Sequence, residues 1–189
     1  MSKNALVILA PGCEELEAVA AADILVRGGV KVTTASIHPQ KTKAIIASRG
    51  MHLVADHLLE EVAPDPFDVI VLPGGMPGAQ ALRDNPMVIE LLKRQRASNL
   101  WRAAICASPA VVLATHHLIE ADAQVTGYPG TFDDHSSILV RADLDVVIDH
   151  THKLITSRGP ATAIEFGLAI VSVLTDAATT QRVRTGLLA

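Results

Sequence analysis

Short, nearly continuous apolar runs, each stopped by glycine or proline or feeding a helical pattern, recur along this chain and restrict its fold more than any other feature. Ala5–Ala10 stops at Pro11-Gly12, Phe67–Leu72 stops at Pro73-Gly74-Gly75, and Arg102–Ile105 feeds a helical stretch over Pro109–His116. A strand that is apolar at successive positions must be covered on both faces. These runs therefore predict an α/β architecture, a mostly parallel sheet with helices on both faces. Further strands are expected at Val30–Ile37, Val146–Ile148 and Lys153–Thr156, with a hairpin of Ala44–Ala47 and His52–Val54 around Ser48-Arg49-Gly50. Helices are expected over Glu14–Gly28, from Pro86 to about Ala97, and over Ala161–Leu174.

The chain has 189 residues, 49% of them hydrophobic, which suffices for one compact domain spanning 1–189, and no repeat or linker divides it. Lys+Arg is 16 against Asp+Glu 20, a net charge of −4, which argues against specific nucleic-acid binding through phosphate neutralisation. The apolar runs fall far short of the roughly 20 residues a membrane-spanning helix needs. The two cysteines, Cys13 and Cys106, have no CxxC spacing and make no disulfide framework, so a reducing, cytoplasmic location is expected. His150-x-His152 and His116-His117 lack carboxylate or cysteine partners in zinc-like spacing, so no metal is expected.

Ligands of such sheets sit beyond the carboxyl ends of the strands, which directs attention to the loops after Ala10, Leu72 and Ile105. Cys106 ends a strand between the small residues Ala104 and Ser108, a spacing that suits a sharp strand-to-helix elbow presenting one nucleophile. A helix N-terminus there favours thiolate and lowers the thiol pKa below roughly 8.5. The same spacing also suits a small, inert core cysteine. Glu17 projects about 120° away from the solvent-side pair Asp23 and Arg27, on the flank shared with Ala21 and Ile24. A carboxylate on an apolar flank needs a partner or a proton, and a protonated one can donate to a thiolate; a solvated Glu17 is the alternative. Glu14 and Glu15 are accounted for by the helix dipole. The amides of Gly74-Gly75-Met76-Pro77-Gly78 suit an oxyanion hole or a phosphate cradle, although a tight turn alone would also require glycine. Tyr128-Pro129 and Asp133-Asp134-His135 lie in a polar loop within reach of the same end of the sheet.

Four segments together carry a resemblance: Ala5-Leu-Val-Ile-Leu-Ala-Pro-Gly-Cys-Glu-Glu-Leu-Glu17, Asp68-Val-Ile-Val-Leu-Pro-Gly-Gly75, Ala103-Ala-Ile-Cys-Ala107 and Thr156-Ser-Arg-Gly-Pro160. In order and spacing the sequence resembles the DJ-1/ThiJ/PfpI superfamily, in its DJ-1/YajL-like branch. The resemblance implies a flavodoxin-like three-layer sandwich that works as a homodimer without a cofactor. It implies that Cys106 is the reactive cysteine, Glu17 the protonated acid beside it, and the backbone of Gly75 and Ala107 an oxyanion hole. Gly74, Tyr128, Pro129 and Arg158 would line the site, and Arg49 would reach the site of the neighbouring subunit. Cys13 is expected near Glu14, at the pocket or dimer edge. Protease-like relatives place a histidine directly after the cysteine, where this chain has Ala107, which argues against peptidase activity. Several relatives have a histidine where this chain has Tyr128, and glycine where it has Ser108. The implied activity is glyoxalase III-like or deglycase chemistry on 2-oxoaldehydes, turning methylglyoxal into lactate. The alternative is a non-catalytic redox sensor or redox-regulated chaperone acting through oxidation of Cys106.

Overall fold

A computed structural model describes residues 2–189. In chain order the elements are β1 (Asn4–Leu9), α1 (Glu15–Arg27), β2 (Lys31–Ser36), β3 (Ala44–Ile46), β4 (His52–Val54), β5 (His57–Leu58) and α2 (Leu59–Val62). There follow β6 (Val69–Leu72), α3 (Met76–Asp84), α4 (Pro86–Ala97), β7 (Trp101–Ile105) and a π-helical turn over Pro109–Ala114. The chain continues through β8 (Gln124–Val125), β9 (Leu139–Val140), β10 (Val146–Asp149), β11 (Leu154–Ser157), α5 (Ala163–Leu174) and α6 (Ala177–Leu187).

Seven strands form the central sheet in the order β10-β11-β7-β6-β1-β2-β5, all parallel except the edge strand β10. Residue alternation divides the core. On β1, Ala5, Val7 and Leu9 join Ile24 of α1, Phe166 and Ile170 of α5 and Val183 of α6. Leu6, Ile8 and Ala10 join Val62 of α2, Leu82 of α3, Leu92 of α4 and Leu113 of the π turn on the opposite face. Each Leu, Ile or Phe fully withdrawn from water in these two layers contributes about 1.5–3 kcal/mol. The helices α1 and α5 approach closely because residue 167 is glycine: a β-carbon there would stand 2.9 Å from Ile24 Cβ. The chain is thus an α/β three-layer sandwich, as its apolar runs predicted.

Register then sets the site. Val7 lies beside Val71, and Leu72 beside Ala104. Extending the first pair by three residues and the second by two brings Ala10, Gly74 and Cys106 side by side at the carboxyl edge.

Several elements differ from the sequence reading. The helix expected over Pro109–His116 is a π turn over Pro109–Ala114, with Thr115 N donating to Ala110 O at 3.2 Å. The helix α3 begins inside the glycine-rich loop, because proline is tolerated in a first turn whose amides have no helical partner. The unforeseen α6 is capped by Asp176, which accepts from Thr179 N at 2.7 Å, and Arg184 clasps Glu165 of α5. Arg102 stands in the first turn of an otherwise apolar strand and is buried, its guanidinium donating to the carbonyls of Leu118 and His152. Among the described residues no helix is long and apolar enough to cross a membrane.

Candidate active site

Cys106 follows the last residue of β7 with φ +64°, a left-handed conformation that costs a side-chain-bearing residue about 1–2 kcal/mol. Hydrogen bonds on both sides hold it there. Its amide donates to Ser157 O at 2.9 Å, and its carbonyl accepts from Tyr128 N at 2.8 Å. Two residues on, buried Ser108 donates its hydroxyl to Pro73 O at 2.6 Å, tying the end of β7 to the end of β6. The hydroxyl is thus a strut that glycine at this position would lack.

Glu17 reaches the same point from α1. The carboxylate of Glu14 caps that helix by accepting from Glu17 N at 2.9 Å, and Glu14 N donates to Gly74 O at 3.0 Å. The Glu17 side chain is fully buried, and its Oε2 accepts from Gly74 N at 2.7 Å. Its Oε1 is buried without a hydrogen-bond partner. An unpartnered oxygen in a low-dielectric site is costly when charged and tolerable when protonated.

Burial pushes the Glu17 carboxyl up to about 7, reinforced by the charge of Glu14 and opposed by the Gly74 amide and the Cys106 thiol. Burial likewise pushes the Cys106 thiol up to about 12, with an ionised Glu17 as the next cause. The N-terminus of the turn after Cys106 therefore does not by itself depress the thiol, contrary to the sequence expectation; the turn is short, and burial outweighs it. The two acids share one site, and two negative charges so close repel. One proton leaves the pair near neutrality, and the second is held far above it. The amides of Gly75 and Ala107 act to lower the Cys106 thiol against that burial, whereas the Glu17 carboxyl accepts from the Gly74 amide at 2.7 Å. The Gly75 and Ala107 amides stand where the sequence reading put its oxyanion hole. Gly75 takes φ +80°, and any β-carbon there would meet Gly12 O at 2.6 Å.

The remaining residues of the sequence reading fall in two places. Tyr128, half-exposed, lies with its ring against Gly159; with Pro129 and Arg158 it borders a cavity. Arg158 stands 3.6 Å from Asp145. Arg49 is exposed in the turn of the β3–β4 hairpin and makes no ion pair among the described residues. What fixes that turn is Glu15, which the helix dipole had seemed to explain. Its buried carboxylate accepts from Ser48 Oγ at 2.9 Å and Arg49 N at 2.9 Å. Burial raises the Glu15 carboxyl, but its hydrogen bonds outweigh that and hold it below the ordinary value. Cys13 is fully buried beneath Gly78 and does not line a pocket edge; burial pushes its thiol up to about 11.

Comparison with known proteins identifies relatives over the whole chain. The model of the DJ-1/PfpI family matches residues 3–173. The chain is 42% identical over 188 residues to protein dj-1beta of Drosophila melanogaster, covering 100% of this chain and 98% of that one. It is 39% identical over 173 residues to the Caenorhabditis elegans protein named glutathione-independent glyoxalase DJR-1.2, covering 91% and 89%. The solved structure of oxidised Toxoplasma gondii DJ-1 superimposes with a TM-score of 0.91 at 37% identity, over 99% of this chain and 98% of that one.

Proposed function

Because the chain belongs to the DJ-1/PfpI family, we propose that it converts 2-oxoaldehydes to 2-hydroxy acids without a cofactor, with Cys106 as nucleophile and Glu17 as the group that moves protons. The observation that carries this reading is the fully buried Glu17 carboxyl, raised to about 7 by burial and parted from Cys106 by Gly74 alone. The name of the Caenorhabditis elegans relative supports it.

For methylglyoxal the thiolate adds to the aldehyde carbon, and the oxygen takes the proton of Glu17, giving a hemithioacetal. The Glu17 carboxylate then removes the hydrogen from that carbon, the electron pair passes to the neighbouring ketone, and the hydroxyl proton of the first carbon moves to that ketone oxygen, leaving an enediolate. Returning the proton to the second carbon leaves a 2-hydroxyacyl thioester. Water hydrolyses the thioester to lactate and frees the thiol. The first carbon is oxidised and the second reduced within one molecule, so no external oxidant is needed. The Gly75 and Ala107 amides stabilise negative charge on the sulfur and then on the substrate oxygen. On the hemiaminal or hemithioacetal of a glycated amine or thiol, the Cys106 thiolate would take the place of the amine or thiol, which leaves with the Glu17 proton, and deglycase activity would result. Ala107 and Tyr128 leave no imidazole at the positions where relatives carry one, so proton transfer falls to Glu17.

The active unit in this reading is a homodimer. Leu16 and Val19 on α1 and Ile46, Met51 and Val54 on the hairpin are all exposed, a set of apolar side chains that a second copy would cover. Glu15 joins these two elements, so Arg49 stands at that border, placed to reach a neighbouring site.

Lactate formation from methylglyoxal in amine-free buffer tests the proposal. Wild type should produce lactate, and Cys106→Ser and Glu17→Gln should lose at least 100-fold in kcat. Equal rates in wild type and Cys106→Ser would overturn it. An absence of turnover together with clean oxidation of Cys106 would favour a redox sensor.

A further inference from the structure

Beside the loop that carries Tyr128 lies a cavity of about 480 Å³, lined in part by Tyr128, Phe132, His135, Ile138, Val140 and Arg158. Two of its walls are tied to the backbone of Cys106. Tyr128 N donates to Cys106 O at 2.8 Å, and Cys106 N donates to the carbonyl of Ser157, the residue before Arg158, at 2.9 Å. The volume equals that of about 16 liquid-phase waters at roughly 30 Å³ each, and it lies in the range of sites for drug-sized ligands. Methylglyoxal would leave nearly all of it empty. Charge does not select the occupant, because the Arg158 guanidinium is balanced by Asp145 at 3.6 Å and by Asp133 on the cavity wall. Apolar surface does: Phe132, Ile138 and Val140, partly buried against the core, line the cavity together with Tyr128 and Pro129.

We propose that this cavity receives the ring of an aryl-substituted 2-oxoaldehyde whose aldehyde carbon is engaged at Cys106. The inference rests on the reaction proposed above and specifies its substrate class. Burial of an apolar ring adds binding that a methyl group cannot supply.

The test compares phenylglyoxal with methylglyoxal, reading mandelate and lactate, in wild type and in Ala142→Trp. Ala142 is exposed at the cavity rim and touches none of the groups assigned to catalysis. Wild type should favour phenylglyoxal at least tenfold in kcat/KM. Ala142→Trp should erase that preference while leaving methylglyoxal within twofold. Turnover of methylglyoxal with no aryl preference, or an equal loss for both aldehydes in the variant, would overturn the cavity assignment and leave the reaction standing. If neither aldehyde is consumed, the reaction proposal fails and calorimetry with 1-phenyl-1,2-propanedione on Cys106→Ser decides the cavity. Saturable binding weakened tenfold by Ala142→Trp supports it, and absence of saturable binding overturns it.

Discussion

Glu17 and Cys106 are separated by the thickness of one glycine: a β-carbon on Gly74 would stand 2.8 Å from Glu17 Oε2 and 2.5 Å from Cys106 Cβ. Ile105 O, at 2.9 Å, closes the third side. Cys106 Cβ and Ile105 O are fixed by the backbone, and the buried Glu17 carboxyl is held by the Gly74 amide. Gly74→Ala should therefore cost about 1–3 kcal/mol, the range of overpacked cores, and separate the two acids. Urea denaturation should show a lower midpoint with an unchanged slope, and iodoacetamide should label Cys106 at an altered rate.

The proton on Glu17 makes stability depend on pH with a defined sign. Its carboxyl is raised from 4.5 to about 7, so between those values the native state keeps a proton that the unfolded chain has released. Stability from this group is therefore greatest below about pH 4.5, falls as pH rises towards 7, and is level above that. Glu17→Gln removes this slope, so its stability relative to wild type should climb between pH 4.5 and 7 in denaturation series. A constant difference across that window would show an ordinary carboxylate.

Glu17→Leu separates two electrostatic roles. If the carboxyl donates to the thiolate, losing that charge-assisted bond removes about 1.5–3 kcal/mol, and the thiol pKa rises by about one to two units. If the carboxyl is the charged partner, its removal lowers the thiol pKa. Ultraviolet titration of the thiolate reads the sign, and the proposed mechanism requires a rise.

The two thiols should differ in their response to oxidation. Cys13 is fully buried beneath Gly78 with the one backbone group of Ala10 lowering its thiol, whereas Cys106 retains slight exposure and has those of both Gly75 and Ala107. Mild peroxide should convert Cys106 to the sulfinic acid while Cys13 remains a thiol, as read by peptide mass spectrometry. Prior oxidation of Cys13 would contradict the geometry.

Assembly is tested on the apolar face of α1 and the hairpin. Analytical ultracentrifugation at micromolar concentration should give about twice the 20.0 kDa chain mass. Leu16→Asp combined with Met51→Asp should give a folded monomer, since both side chains are exposed in the single chain.

What the sequence disclosed follows from the range of the interactions involved. Strands such as Val69–Leu72 were legible because every side chain is buried, and Cys106 stood out because its neighbours are small. The family resemblance added the pairing with Glu17. Glu15 was misjudged because an acid in a first helical turn already has a local explanation, while its partners Ser48 and Arg49 lie more than thirty residues away. The burial of Arg102 was likewise not legible, its acceptors being backbone carbonyls of distant loops. The titration of Cys106 was misjudged because burial, which exists only once the layers are packed, outweighs the effect of a short turn.

The left-handed backbone at Cys106 bears on how such a chain can lose its chemistry. Among the described non-glycine residues with positive φ, Cys106 is the buried one. Glycine would relieve about 1–2 kcal/mol there, offsetting its own entropic cost of roughly 0.5–1 kcal/mol and the small area of thiol surface lost. Cys106→Gly should thus fold about as well as wild type while lacking the nucleophile. A lineage carrying it would show normal protein abundance and silent chemistry, so expression level is no proxy for activity at this locus.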